Sequence, residues 1–295
     1  MVKPVLRLGF TDTFNTLDSF FTDTLSKVFD VQRDDNDPQF LIFCDENFGQ
    51  NNLSFNDKNV VKIFFTGENR RAYNYHCHFA ITFDHDSNPR HYRLPLYVLD
   101  NIVNTKILGL PDIHDVSRTE TAKDKKGFCS FVVKNGGCAE RNNMFNMLSQ
   151  YKKVDSGGPL FNNIGQILSR EGLNGFHMAK YDFLKERKFN LCYENSSHPG
   201  YVTEKLFHAL TYNTIPIYWG SPTVEMDFNT KAFISRHDFD SDEDMIRKII
   251  ELDQDDDKYN EMLSQPILNP RNKVFDLDRF NNWFYNIVYR EVYKN

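Results

Sequence analysis

The alternation of strand-like and helix-like segments predicts an α/β protein of two domains. Three observations carry this. Short apolar runs such as Val5–Phe10 and Val60–Phe65 have strand length and are followed by loops or helical patterns. A polar stretch of mixed charge, 111–127, separates two such alternations and marks the domain boundary, unless it is a solvated loop within one domain. The 295 residues suit two domains of average size.

In the first half, Val5–Phe10 reads as a strand. Leu17, Phe20, Phe21, Leu25 and Phe29 then recur at helical spacing. Phe29–Gln32, Gln39–Cys44, Val60–Phe65 and Ala80–Phe83 read as further strands. Strands alternating with helices imply a mostly parallel sheet.

The second half restarts with the strand Phe128–Val133 and a helix from Arg141 to Tyr151. Ser156-Gly157-Gly158-Pro159 is a turn, and Met178–Phe183 a turn of helix. Phe189–Cys192, Thr203–Leu210 and Ile215–Tyr218 form one strand–helix–strand unit. The acidic run Asp253–Asp257 reads as a solvated loop. Leu277, Phe280, Phe284, Ile287 and Val288 follow the spacing of an amphipathic helix. Its low Arg and Lys content favours packing on a domain over lying on a membrane.

Composition narrows the function classes. Hydrophobic residues at 40% and charged residues at 26% fit a globular protein. A formal charge of -6 argues against broad affinity for nucleic acid. Most of the 27 Phe are expected in the core, whereas loop Tyr can equally stack on a sugar or base. Five cysteines at irregular spacing give neither a disulfide framework nor a CxxC zinc site, and point to a reduced, cytoplasmic chain. No signal peptide or membrane-spanning run is expected, although a trimmed anchor is compatible with the sequence.

The chemistry concentrates in Phe189–Pro222, FNLCYENSSHPGYVTEKLFHALTYNTIPIYWGSP. The strand ends in Glu194, Asn195, Ser196 and Ser197, where open α/β sheets bind ligands. Gly200 allows close backbone approach, and the helix starting near Thr203 directs N–H groups and a positive dipole end at the loop. Lys205 adds a full charge, so the segment can cradle a diphosphate. On spacing alone, an ordinary turn capped by Asn195 and Thr203 fits as well.

The run from Gly200 to Pro222 resembles the donor-binding signature of the α-1,3/4-fucosyltransferase family: Tyr-Val-Thr-Glu-Lys, a helix, then Ile-Pro-Ile-Tyr-Trp-Gly. Phe65-Thr66-Gly67-Glu68-Asn69, the helix start at Arg141-Asn142 and Arg236-His237-Asp238-Phe239 resemble the family in the same order. The Ser156-Gly157-Gly158 turn is similar to the family's Gly-rich turn. The resemblance implies a GT-B architecture, two Rossmann-like domains facing a central cleft. An acceptor-side domain is expected at 1–120 and a GDP-fucose domain at 121–272, with a last helix, 273–295, returning to the first domain.

The resemblance also implies roles. Transfer of L-fucose from GDP-β-L-fucose to an α-linked product inverts the anomeric carbon, which needs one base and positive charge on the leaving diphosphate. Glu68 matches the family's Gly-Glu-Asn position and is the candidate base; from its loop alone it reads more readily as a carboxylate with local hydrogen bonds. Asp45 and Glu46 are fallback bases. Arg141 and Lys205 should meet the diphosphate, and Glu204 the ribose hydroxyls. Asn195 and Tyr201 should contact phosphate or fucose, Tyr201 being as readily a packing residue. Surface positions and helix-face pairing remain the alternatives for Arg141 and Lys205.

The acceptor implied is a glycan, foremost O3 of GlcNAc in N-acetyllactosamine-type chains. The stretch RRAYNYHCH, 70–78, is expected to contribute to its choice. His76, Cys77 and His78 read as structural rather than as a metal site. No cofactor is expected, with room for stimulation by Mn or Mg; peripheral membrane association stays open. Another nucleotide sugar, or a non-catalytic glycan-binding relative, is the alternative reading. A nicotinamide dehydrogenase is disfavoured, because no GxGxxG follows the first strand.

Overall fold

The apolar runs of the first half become the strands of one parallel sheet. They are β1 (Val5–Thr11), β2 (Asp30–Arg33), β3 (Phe40–Phe43), β4 (Val61–Phe65), β5 (Phe79–Thr82) and β6 (His91–Arg93). The order is β2-β1-β3-β4-β5-β6, and each neighbouring pair is parallel. Helix α1 (Asn15–Leu25) follows β1, and α2 (Leu96–Lys106) follows β6. β3 has all four residues buried, as a central parallel strand covered on both faces requires. β6 escapes the sequence reading because His91, Tyr92 and Arg93 carry no apolar signature.

The computed structural model describes residues 2–168 and 172–293, with 172–176 and 293 by backbone alone. Two compact units result, 1–99 with 273–295, and 100–272. The sequence reading placed 100–120 in the first domain; here they belong to the second unit. Side chains explain why. The Asn101 amide donates to Asp112 and accepts from the Ile113 N–H, both at 2.9 Å, tying α2 to the polar stretch. Asn104 meets the Tyr212 hydroxyl at 3.2 Å, and buried Arg118 donates to the carbonyls of Thr214 and Gln265.

The second unit holds β7 (Gly127–Phe131), α3 (Ala139–Tyr151), β8 (Val154–Ser156), α4 (Gly172–Lys185), β9 (Arg187–Leu191), α5 (Glu204–Thr211), β10 (Ile215–Tyr218) and β11 (Ile234–Ser235). The sheet order is β11-β10-β9-β7-β8, again parallel throughout. α4 is a full helix rather than the single turn expected at Met178–Phe183. α6 (Asp242–Gln254) and α7 (Asp256–Leu263) replace the solvated loop expected at Asp253–Asp257. The acids there have positions to fill. Buried Asp253 accepts from Tyr151 and Lys152 at 2.9 Å, and Asp255 caps α7 by accepting from the Lys258 N–H at 3.1 Å.

The chain ends in α8 (Leu277–Tyr293), which belongs to the first unit. Its apolar stripe, Phe280, Phe284, Ile287 and Val288, is buried there. Phe280 packs on Phe21 and Tyr92, and Phe284 on Phe29 and Phe40, with ring centroids 5.2–6.1 Å apart. Much of the phenylalanine content is therefore core.

Candidate active site

Each sheet has one topological switch point, where ligands of open α/β folds bind beyond the carboxyl ends of the strands. In the second sheet it lies between β7 and β9, because the chain moves from β7 outward to β8 and then returns to the other side of β7. The loops that flank it are 132–138, leading into α3, and 192–203, leading into α5.

Arg141, in the first turn of α3, is 1% exposed, so it is no surface helix residue. Its Nη2 donates to the Asn135 carbonyl at 2.6 Å and its Nη1 to the Tyr193 carbonyl at 3.4 Å, one carbonyl from each loop. Its buried Nε–H has no hydrogen-bond partner among the described residues. A guanidinium held by two carbonyls, with no carboxylate bonded to it among the described residues, keeps its charge available to an anion.

Across the switch point, Gly200 turns the chain at φ 80°, a conformation that favours glycine. Its N–H donates to the hydroxyls of Ser221 and Thr223 at 2.9 and 3.0 Å. Thr203 is the N-cap of α5 by backbone, but its hydroxyl bonds Glu194 rather than the helix. Asn195 is likewise no cap: its Oδ1 accepts from the Tyr201 hydroxyl at 3.0 Å. Tyr201 is wholly buried.

Lys205 Nζ lies 3.0 Å from Glu194 Oε2 and 3.5 Å from Glu204 Oε1. Burial alone would raise the Glu204 carboxyl, but Lys205, Lys180 and the Thr203 hydroxyl together hold it down at about 2. Glu204 is therefore an ionised acceptor across the working pH range. The segment 236–238 is a single 3-10 turn directly after β11, and His237 Nε2 reaches the Gly220 carbonyl at 3.3 Å. Gly158 belongs to a close backbone crossing: a Cβ there would stand 2.4 Å from the Val133 carbonyl oxygen. Sequence reasoning treated Glu194 only as a strand-end polar residue; its 0% exposure marks it as more than that.

In the first unit, Glu68 follows β4 at the carboxyl edge of the sheet and is half-buried. Its loop is fixed locally. The Glu68 N–H donates to the Thr66 hydroxyl at 3.0 Å, and its carbonyl accepts from the Arg70 N–H at 2.6 Å. Gly67 has no room for a side chain, since a Cβ would stand 2.8 Å from Leu96 Cδ1. The fallback bases, Asp45 and Glu46, also have hydrogen-bond partners. Asp45 is buried and accepts from the Thr66 hydroxyl at 3.3 Å. Glu46 accepts from the Tyr75 hydroxyl at 2.6 Å, which with Arg70 holds its carboxyl below the ordinary range.

Among the described residues no group of three or more His, Cys, Asp or Glu is arranged to hold a metal ion. His78 Nδ1 accepts from the Lys62 N–H at 2.9 Å, and His76 Nδ1 lies 3.1 Å from Asn56 Oδ1. No helix of the described residues is long and apolar enough to cross a membrane.

The sequence matches two family models. One is described as glycosyltransferase family 10 (fucosyltransferase), C-terminal, and covers residues 121–264; the other, the alpha-(1,3)-fucosyltransferase FucT N-terminal domain, covers 6–100. The chain is 34% identical over 239 residues to alpha-(1,3)-fucosyltransferase FucT of Helicobacter pylori, a match spanning 72% of this chain and 48% of that protein. It spans about half the length, or less, of the first curated relatives it matches. The fold is similar to a crystal structure of an α1,3-fucosyltransferase, with TM-score 0.80 and 27% identity over 97% of this chain and 90% of that one. Against an α1,3-fucosyltransferase with GDP-fucose the TM-score is 0.75 at 27% identity, over 98% and 91%. The architecture is thus of GT-B type, with two Rossmann-like α/β domains on parallel sheets. By sequence and by fold, the chain belongs to glycosyltransferase family 10, the fucosyltransferases.

Proposed function

We propose that this chain is an inverting fucosyltransferase that moves L-fucose from GDP-β-L-fucose to a glycan hydroxyl. The observation that carries the donor half is the meeting of two loops at the switch point of the second sheet. One brings the buried Arg141 guanidinium, the other Glu204 and Lys205 on the first turn of α5. Arg141 and Lys205 take the diphosphate, Glu204 accepts from the ribose hydroxyls, and Asn195, braced by Tyr201, faces the phosphate–fucose end.

In the reaction, the acceptor hydroxyl attacks the anomeric carbon and the Glu68 carboxylate takes its proton. The carbon–oxygen bond to the diphosphate breaks, and GDP leaves with its charge balanced by Arg141 and Lys205. One displacement inverts the centre and needs no covalent intermediate, unlike a retaining two-carboxylate scheme. This scheme requires no metal cofactor, and Mn or Mg can stimulate it by screening the diphosphate.

The acceptor we propose is O3 of GlcNAc in N-acetyllactosamine-type chains, giving an α-1,3 linkage. The similarity to α-1,3-fucosyltransferases supports the linkage in this choice. The five free cysteines, four of them buried, support a reducing, cytoplasmic setting. The test is incubation with GDP-fucose against a panel of defined glycans, followed by mass, linkage and anomeric analysis of products. GDP-mannose and UDP-sugars form the control arms. Transfer from a control donor in preference to GDP-fucose overturns the donor assignment; a β-linked product overturns inversion.

A further inference from the structure

Glu194 is a wholly buried carboxylate at the mouth of the donor loop, and such a group is costly unless its oxygens are filled. They are filled by two residues of one segment. Oε1 accepts from the Thr203 N–H at 2.8 Å and stands 2.9 Å from the Thr203 hydroxyl. Oε2 lies 2.7 Å from that hydroxyl and accepts from Lys205 Nζ at 3.0 Å. Lys205 Nζ also donates to Thr203 Oγ1 at 2.9 Å, which closes a three-membered ring of polar contacts.

We propose that Glu194 is the positioning residue for Lys205. It acts through the Thr203–Lys205 ring to hold the ammonium where the donor diphosphate binds. A lysine ammonium sits on a flexible four-carbon stem, and ordering that stem opposes binding. Glu194 and Thr203 fix two of its three donor directions before any ligand arrives. The arrangement also explains the glycine of the Trp219-Gly220-Ser221 turn. A Cβ on Gly220 would stand 2.6 Å from Glu194 Cγ and 2.6 Å from the Tyr218 hydroxyl. Those are distances that real Cβ atoms do not show, so a side chain at 220 would force Glu194 and Tyr218 to shift. The Glu194 N–H is itself anchored on the Trp219 carbonyl at 2.8 Å.

The inference rests on the reading in which Lys205 meets the diphosphate, and a double-mutant cycle separates the two. GDP affinity is measured by calorimetry, and the KM for GDP-fucose and for the acceptor by kinetics, in wild type, Lys205→Ala, Glu194→Gln and the double variant. Glu194→Gln keeps the shape and the Oε1 acceptor but removes the charge that faces Lys205. The expected result is a loss of about tenfold in GDP affinity for Glu194→Gln. The KM for GDP-fucose should rise with it, the acceptor KM should stay unchanged, and the variant should add no further loss in the Lys205→Ala background. A Glu194→Gln protein that binds GDP like wild type while Lys205→Ala is weakened overturns the proposal. Losses that multiply in full do the same, because Glu194 then acts other than through Lys205. If Lys205→Ala itself binds GDP like wild type, the diphosphate role of Lys205 fails first and the proposal falls with it. Should Glu194→Gln not fold, Thr203→Val decides by the same criteria: it removes only the bridging hydroxyl, and its several-fold loss must likewise vanish in the Lys205→Ala background.

Discussion

Lys180 on α4 and His208 on α5 are joined inside the second unit, Nζ donating to Nδ1 at 2.9 Å. Because Nδ1 accepts from an ammonium, the proton of neutral His208 belongs on Nε2, which has no hydrogen-bond partner among the described residues. The ring stacks on Tyr212 with centroids 5.0 Å apart. Burial, then Lys180, His177 and Lys205, push this imidazole well below its ordinary 6.5.

A pH dependence of stability follows. The unfolded chain protonates His208 near pH 6.5, while the folded chain keeps it neutral, so the unfolded state binds more protons below that pH. Stability is full above 6.5 and falls on acidification, by roughly 1 kcal/mol from this residue by pH 5.5. Between pH 7.5 and 5.5, the melting temperature of wild type should drop further than that of His208→Asn. Equal drops in the two proteins would show that His208 is not the group involved.

Glu68 is expected to separate chemistry from donor binding. Removing a general base typically costs about a hundredfold to ten-thousandfold in rate. Glu68→Gln should lose kcat on that scale, while GDP affinity, set by the second unit, stays within about twofold. Asp45→Asn is the comparison, since Asp45 accepts from Thr66 and braces the same loop. If Glu68→Gln retains transfer and Asp45→Asn does not, the base is Asp45.

The last helix stabilises the first unit by its aromatic stripe. Phe280 is wholly buried and meets Phe21, Tyr92, Trp283 and Phe284. Phe280→Ala should cost about 3–5 kcal/mol. Tyr289→Ala, at a half-exposed position on the same helix, should cost under about 1 kcal/mol. Urea unfolding of both variants checks this; similar midpoints would mean that α8 contributes little to the core.

Apolar strands were legible in the sequence because their burial is written in their composition: Phe40–Phe43 and Ile215–Tyr218 are buried throughout and read directly as strands. His91–Arg93 and Ile234–Ser235 were not, since one carries no apolar residue run and the other spans only two residues. The acidic run at 253–257 misled because charge density reads as solvation, whereas Asp253, itself buried, pairs with Lys152 and Asp255 caps a helix. The donor loop was legible through its motif string. Its internal division of labour was not, because the burial of Glu194 and Arg141 depends on strands distant in sequence.

Arg141 offers the sharpest test of the donor site. Its two terminal nitrogens are held by carbonyls from the loops on either side of the switch point, so the fork is fixed before ligand arrives. Lysine presents a point charge without that fork and cannot reach both carbonyls in the same geometry. Arg141→Lys should therefore lose about 1.5–3 kcal/mol of GDP binding, roughly tenfold to a hundredfold. It should also lose some stability, because two carbonyl acceptors are left poorly matched. The two effects separate in a thermal-shift titration. A ligand that binds only the folded state raises the melting temperature in proportion to RT ln(1 + [L]/Kd). At a GDP concentration that shifts wild type clearly, Arg141→Lys should show a small or absent shift from its own lower baseline. A full GDP-induced shift on that lowered baseline would make Arg141 a structural tie between two loops, and the diphosphate charge would then have to come from Lys205 alone.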